Sequence, residues 1–127
     1  RKSAYEAVGA NLPIKLRFKI FETQILPVLD YGGEIWYNGR PINKHETIHT
    51  DYFKNALGVK RQTSNLAIYG ETGKMPLFVR HKEMLIKYWL RLLTLDSGDL
   101  LYITYRELRQ HDDDGHRNWC TNVRLML

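Results

Sequence analysis

The chain has 127 residues, room for one modest domain, and its 43% hydrophobic and 26% charged residues suit a packed core rather than a disordered tail. No apolar run approaches the ~18 residues a membrane span needs, the opening RKSAYEAVGAN lacks the apolar core of a signal peptide, and the single cysteine, Cys120, excludes an internal disulfide and fits a reducing compartment. The 19 Lys and Arg against 14 Asp and Glu leave a net charge of +5, which favours a polyanionic partner.

Arg1 stands in what reads as the middle of a polar helix, and the chain stops at NVRLML, an apolar helical stripe without a cap. A fragment of a larger protein is expected, with exposed apolar surface where the rest would dock. Residues 13–30 (PIKLRFKIFETQILPVLD) place Ile14, Phe18, Phe21, Ile25 and Leu29 on one helical face. Pro13 suits a first turn, and Pro27 should kink or divide the helix. Gly32-Gly33 and the polar turn at 38–44 interrupt the pattern.

A second helix is expected over 44–57, with Ile48, Tyr52, Phe53 and Ala56 on one face and Gly58 as its stop. Thr63 or Ser64 can cap a short helix through LAIYG, broken by Gly70 and Gly73. The strongest periodicity covers 76–95, where Leu77, Phe78, Met84, Leu85, Tyr88, Trp89, Leu92 and Leu93 span nearly half the cylinder. Arg80, Glu83, Lys87 and Arg91 form the opposite stripe, with Glu83 and Lys87 in the favourable i,i+4 order. Two more helices are expected at 99–110 and 117–127, around the turn HDDDG. No stretch alternates like a strand. The fold class expected is all-α, an irregular bundle of about five or six helices.

Residues 45–49 read HETIH, the zinc-protease pattern in which two imidazoles one turn apart chelate Zn²⁺ and a glutamate activates water. A catalytic zinc needs a third protein ligand. His81, His111, His116 and Glu71 are the candidates, none at a recognisable spacing, and Asp51 stands where zincins keep an apolar residue. The plainer alternative packs His45 and His49 on the apolar face of the 44–57 helix. Zinc hydrolysis through His45, Glu46 and His49 is kept as a remote alternative, and the expected metal set is empty. GETGK (70–74) lacks the glycine and hydroxyl positions of a P-loop and reads as a turn between helices. Asp112, Asp113 and Asp114 read as a solvated turn rather than a cation site, and Cys120 as a packed small side chain.

KRQTSN (60–65) sets two cations before hydroxyl and amide side chains at an expected helix N-terminus. Free amides, the helix dipole, Lys60, Arg61 and Thr63 could converge on one phosphate, or the stretch could be an ordinary capped loop. Arg80, Lys87 and Arg91, and Lys15 and Lys19 on the first long helix, could track a nucleic-acid backbone or simply face solvent. Tyr5, Tyr37 or Tyr69 could stack on a base.

ILPVLDYGGEIW (25–36) resembles the segment after the catalytic palm in reverse transcriptases of non-LTR, LINE-type retrotransposons of the jockey and CR1 kind. FKNALGVKRQTSNLAIYGETGKMPL (53–77) resembles the next landmark, and KYWLRL (87–92) and Trp119 fit the same order. The resemblance implies a single helical region over 1–127, thumb-like over 1–42 and a C-terminal extension over 43–127. It implies a partner that is an RNA–DNA or RNA template–primer duplex, a palm in the same polypeptide that would need Mg²⁺, and an intracellular place in nucleus or cytoplasm, with no membrane. It also implies that this chain is inactive alone, because the palm's aromatic-x-Asp-Asp motif is missing. Gln110 and His111 stand two places before the aspartate pairs. The alternative is a helical protein-interaction module that binds no nucleic acid.

Overall fold

Pro13 opens the first helix of the computed structural model, which describes residues 12–127. Its carbonyl accepts the amides of Leu16 and Arg17, at 2.9 and 3.1 Å, and α1 (Ile14–Ile20) follows. The helix then widens into a π turn over Phe21–Ile25, where the Leu26 amide reaches back five residues to the Phe21 carbonyl, and continues as α2 (Leu26–Asp30). Pro27 has no N–H to give Thr23, and its ring would crowd that carbonyl; the wider turn just before it absorbs both problems. The Pro27 break expected from sequence is thus met by a bulge.

The remaining helices are α3 (Gly33–Trp36), α4 (Asn43–Leu57), α5 (Asn65–Thr72), α6 (Leu77–Leu93), α7 (Leu100–Asp113) and α8 (Trp119–Met126). The fold class is all-α, and among the described residues there is no strand. No helix is long and apolar enough to cross a membrane among those residues. The opening polar helix and Tyr5 lie outside them.

The described chain forms two compact units. The first comprises residues 12–31 and 43–76. Phe21 is its centre, fully buried with its ring 4.8 Å from Tyr52 and 5.3 Å from both Phe53 and His49. Phe18 meets Phe53 edge-on at 4.8 Å. Arg17 donates to the Ala56 carbonyl at 3.2 Å while Tyr52 Oη donates to the Arg17 carbonyl at 2.7 Å, so α1 and α4 are bonded in both directions. Ile14 is exposed, and so is Ile48, the one residue of the expected α4 face that points outward.

The second unit comprises residues 32–42 and 77–127. Gly32 takes φ +67°, a left-handed conformation that suits glycine, and turns the chain into α3. Gly33 then lies against α6: a Cβ there would stand 3.4 Å from Met84 Cε. Tyr37 is 1% exposed, and His81 sits between the Trp36 and Tyr37 rings at 5.2 and 5.4 Å. A second cluster joins Leu92, Tyr105 and Cys120, flanked by Tyr88, Trp89 and Trp119. Trp89 Nε1 donates to Tyr105 Oη at 3.1 Å and Trp119 Nε1 to the Glu34 carbonyl at 2.8 Å, so both half-buried indoles keep a partner.

Candidate nucleic-acid interface

Gly58 ends α4 as the sequence suggests, with φ +69°. The Val59 amide donates to Lys54 O and the Gly58 amide to Asn55 O, both at 3.1 Å, the two bonds of a Schellman ending. The next four residues form a turn closed by Thr63 N–H donating to Lys60 O at 3.0 Å. Lys54 holds this turn from below: it is buried, and its Nζ donates to the Arg61 carbonyl at 2.9 Å. The cation thus sits in the last turn of α4, where the helix dipole favours it.

The outcome is a pinned loop with its cations outward. Lys60 is exposed, and the Arg61 side chain is 80% exposed while touching Asp51 at 3.3 Å. That pairing is a surface contact, weak in water and open to exchange for a phosphate. Thr63 is half-buried. Ser64 takes the N-cap of α5, but its hydroxyl makes no capping bond, so no N-cap side chain covers the first amides of α5. On α1, Lys15 and Lys19 are exposed, while the Arg17 between them is tied to the end of α4 from which this loop leaves. These five residues therefore belong to one unit.

Arg80, Lys87 and Arg91 are exposed on α6, in the other unit. Lys87 pairs with Glu83 at 2.6 Å, the i,i+4 bridge expected, and this bond holds the Glu83 carboxyl below its ordinary value. Tyr37 is core and cannot stack on a base. Tyr69 is half-buried, its hydroxyl donating to Glu46 at 3.0 Å. Burial and that bond push its phenol well above the usual tyrosine range.

HETIH has a structural job. His49 is 4% exposed, stacked on Phe21 and edge-on to Phe53 at 4.8 Å. Burial lowers its pKa from the ordinary 6.5, against the opposing pull of Glu46, so the ring is held neutral. Glu46 is engaged by Tyr69. His81, a candidate third ligand, is core of the other unit, and no group of three or more His, Cys, Asp or Glu could hold a metal among the described residues. GETGK is the end of α5: Gly73 takes φ +66° at its C-cap, and Lys74 is bonded to Glu22.

One expectation is overturned in the acidic run. Asp112 is not part of a solvated turn but lies in the last turn of α7. It accepts Arg124 Nε and Nη2 at 3.0 and 3.1 Å and the Thr121 hydroxyl, so it clasps α8 and its carboxyl is held low, chiefly by Arg124. Lys54 and the Asp112–Arg124 pair are structural contacts that spacing alone did not reveal. Lys54 sits four residues before Gly58, where a last-turn cation could have flagged it.

Comparison with protein-family models, curated proteins and solved structures finds no match for the chain.

Proposed function

We propose that this chain is a non-catalytic, thumb-like region of an RNA-directed DNA polymerase of the non-LTR retrotransposon kind, which grips the backbone of a primer–template duplex inside the cell. The observation that carries it is the pinned 58–64 loop, which presents Lys60 and Arg61 beside an α5 N-terminus without a side-chain cap. Its position within the stretch that resembles the retroelement landmark supports the same reading. Lys60 and Arg61 would meet one phosphate and Thr63 would line its edge, while Lys15 and Lys19 extend the basic surface along α1. Such contacts supply affinity and register and leave sequence choice to base pairing. Arg80, Lys87 and Arg91 form a second basic line, partly answered by Glu83.

Fluorescence anisotropy of a labelled RNA–DNA hybrid, titrated with the chain across a salt series, tests this. Binding should weaken steeply with salt, and Lys60→Ala with Arg61→Ala should flatten the log–log slope by about two, one per cation. A folded chain that leaves the hybrid free at low salt refutes the proposal.

A second reading, a protein-docking helical module, is favoured by one observation: Val79, Ile86, Leu90 and Leu93 are half-exposed or exposed on α6 beside its charged stripe.

A further inference from the structure

Among the described residues the aliphatic hydroxyls fall into two groups. Thr23, Thr47, Thr50, Thr72, Thr94 and Thr104 donate to backbone carbonyls three or four residues back, and Thr121 donates to Asp112. The hydroxyls of Thr63, Ser64 and Ser97 bond to no other group of the chain.

Burial and charge single out Ser64 from the second group. Thr63 is half-buried, whereas Ser64 is exposed just past the exposed run 58–62. Ser97 lies in the turn between α6 and α7, with Asp96 and Asp99 close by in sequence. Ser64 instead follows Arg61 by three residues, Lys60 by four and Val59 by five. All three face solvent: the Arg61 side chain is 80% exposed, Val59 41%, and Lys60 is exposed. Asp51 meets Arg61 at 3.3 Å, a surface pairing that a carboxylate of another protein can replace. A kinase cleft lined with carboxylates selects its substrates by upstream cations of this kind.

From this combination we infer that Ser64 is the acceptor for a serine/threonine kinase that reads an arginine three residues upstream, and that its phosphate releases a duplex held by Lys60 and Arg61. ATP is the donor. The Ser64 Oγ–P bond forms as the bond between the β- and γ-phosphates breaks, the hydroxyl proton passes to the kinase's catalytic aspartate, and ADP leaves. The cleft takes its substrate extended, so two bonds open first: Thr63 N–H to Lys60 O and Lys54 Nζ to Arg61 O. Opening a surface loop costs far less than unfolding the unit. The added group carries about −1.5 to −2 charges at neutral pH, enough to answer both cations and to repel the phosphates of a duplex. The release rests on the proposed duplex grip, whereas the acceptor site stands on the free hydroxyl, its exposure and the cations before it.

The test incubates the whole chain with MgATP and the catalytic domain of a calmodulin-dependent protein kinase, an enzyme that reads an upstream arginine. Tandem mass spectrometry should place one phosphoryl group on Ser64. Ser64→Ala should take up none there and still bind the RNA–DNA hybrid like the original chain. Arg61→Ala should lower kcat/KM for the transfer at least about ten-fold. The purified phosphorylated chain should bind the hybrid more weakly, with a log–log salt slope flatter by about two. Folded chain left unmodified, modification at Thr63 in place of Ser64, or a rate indifferent to Arg61→Ala overturns the acceptor assignment. Unchanged hybrid binding by the phosphorylated chain overturns the release. An unmodified chain that leaves the hybrid free refutes the duplex grip and the release with it, while the mass measurement decides Ser64 independently.

Discussion

In the first unit, side chains far apart in sequence hold the helices: Arg17 to Ala56, Tyr52 to Arg17, Tyr69 to Glu46 and Lys74 to Glu22. Neither Pro13 nor Ser64 makes a side-chain cap there. In the second unit, long-range bonds such as Trp119 to Glu34 are joined by local caps on α7 and α8. Asp99 accepts the Leu101 amide at 2.9 Å, and Asn118 and Thr121 form a reciprocal capping box at the start of α8. The contrast separates two ways of stabilising short helices. Where caps are missing, tertiary bonds must supply the order, and they draw polar groups such as Lys54, His49 and Glu46 inward. The loop they pin is the one that carries the exposed cations.

Core truncations should give the largest effects. Phe21→Ala removes the ring shared by α4 and the π turn and should cost about 3–5 kcal/mol, read by urea unfolding; in the second unit Leu85→Ala should cost about 2–5 kcal/mol. Hydrogen exchange would sharpen the contrast, since loss of protection after Phe21→Ala should centre on residues 43–57, which pack on that ring. The next effect depends on pH. The folded His49 pKa lies below the ordinary 6.5, so above that value both folded and unfolded chains hold it neutral and no penalty exists. As pH falls below 6.5 the unfolded chain takes up a proton that the folded one resists, and stability declines until the folded pKa is passed. His49→Phe should remove this part of the acid dependence, measured by urea midpoints at pH 7.5 and 5 (buffer choices of about those values).

Single polar deletions come last. Tyr69→Phe removes the hydrogen bond from Tyr69 to Glu46 and should cost about 1 kcal/mol. Asn118→Ala breaks the capping box and should cost about 1 kcal/mol in the second unit. The corresponding change at Ser64, Ser64→Ala, should cost only a few tenths, because that hydroxyl caps nothing. A cost at Ser64 equal to that at Asn118 would break the distinction between the units.

The parts of the fold written in local chemistry were legible. Gly58 stops α4, Gly73 ends α5 although Gly70, also expected to break it, lies within the helix, and the apolar period marks α6 nearly to its bounds. The bonds across sequence were not. Nothing in the spacing of Tyr52 and Arg17, or Asp112 and Arg124, says that they meet. The same gap explains Leu93: periodicity set it in the broad apolar sector of α6, and burial shows it exposed. Lys60 and Arg61 were legible as a cluster, but the buried Lys54 that aims them depends on the path of the chain after Gly58.

The most direct measurement sets the two basic surfaces against each other. Anisotropy of an RNA–DNA hybrid would be titrated across salt with the chain, with its Lys60→Ala, Arg61→Ala form, and with its Lys87→Ala, Arg91→Ala form. The expected result is a marked loss of affinity and a slope lowered by about two for the first pair, with a smaller change for the second, where Glu83 already answers Lys87. Unchanged binding after loss of Lys60 and Arg61, with the α6 pair carrying the whole effect, would contradict the assignment of the grip to the pinned loop.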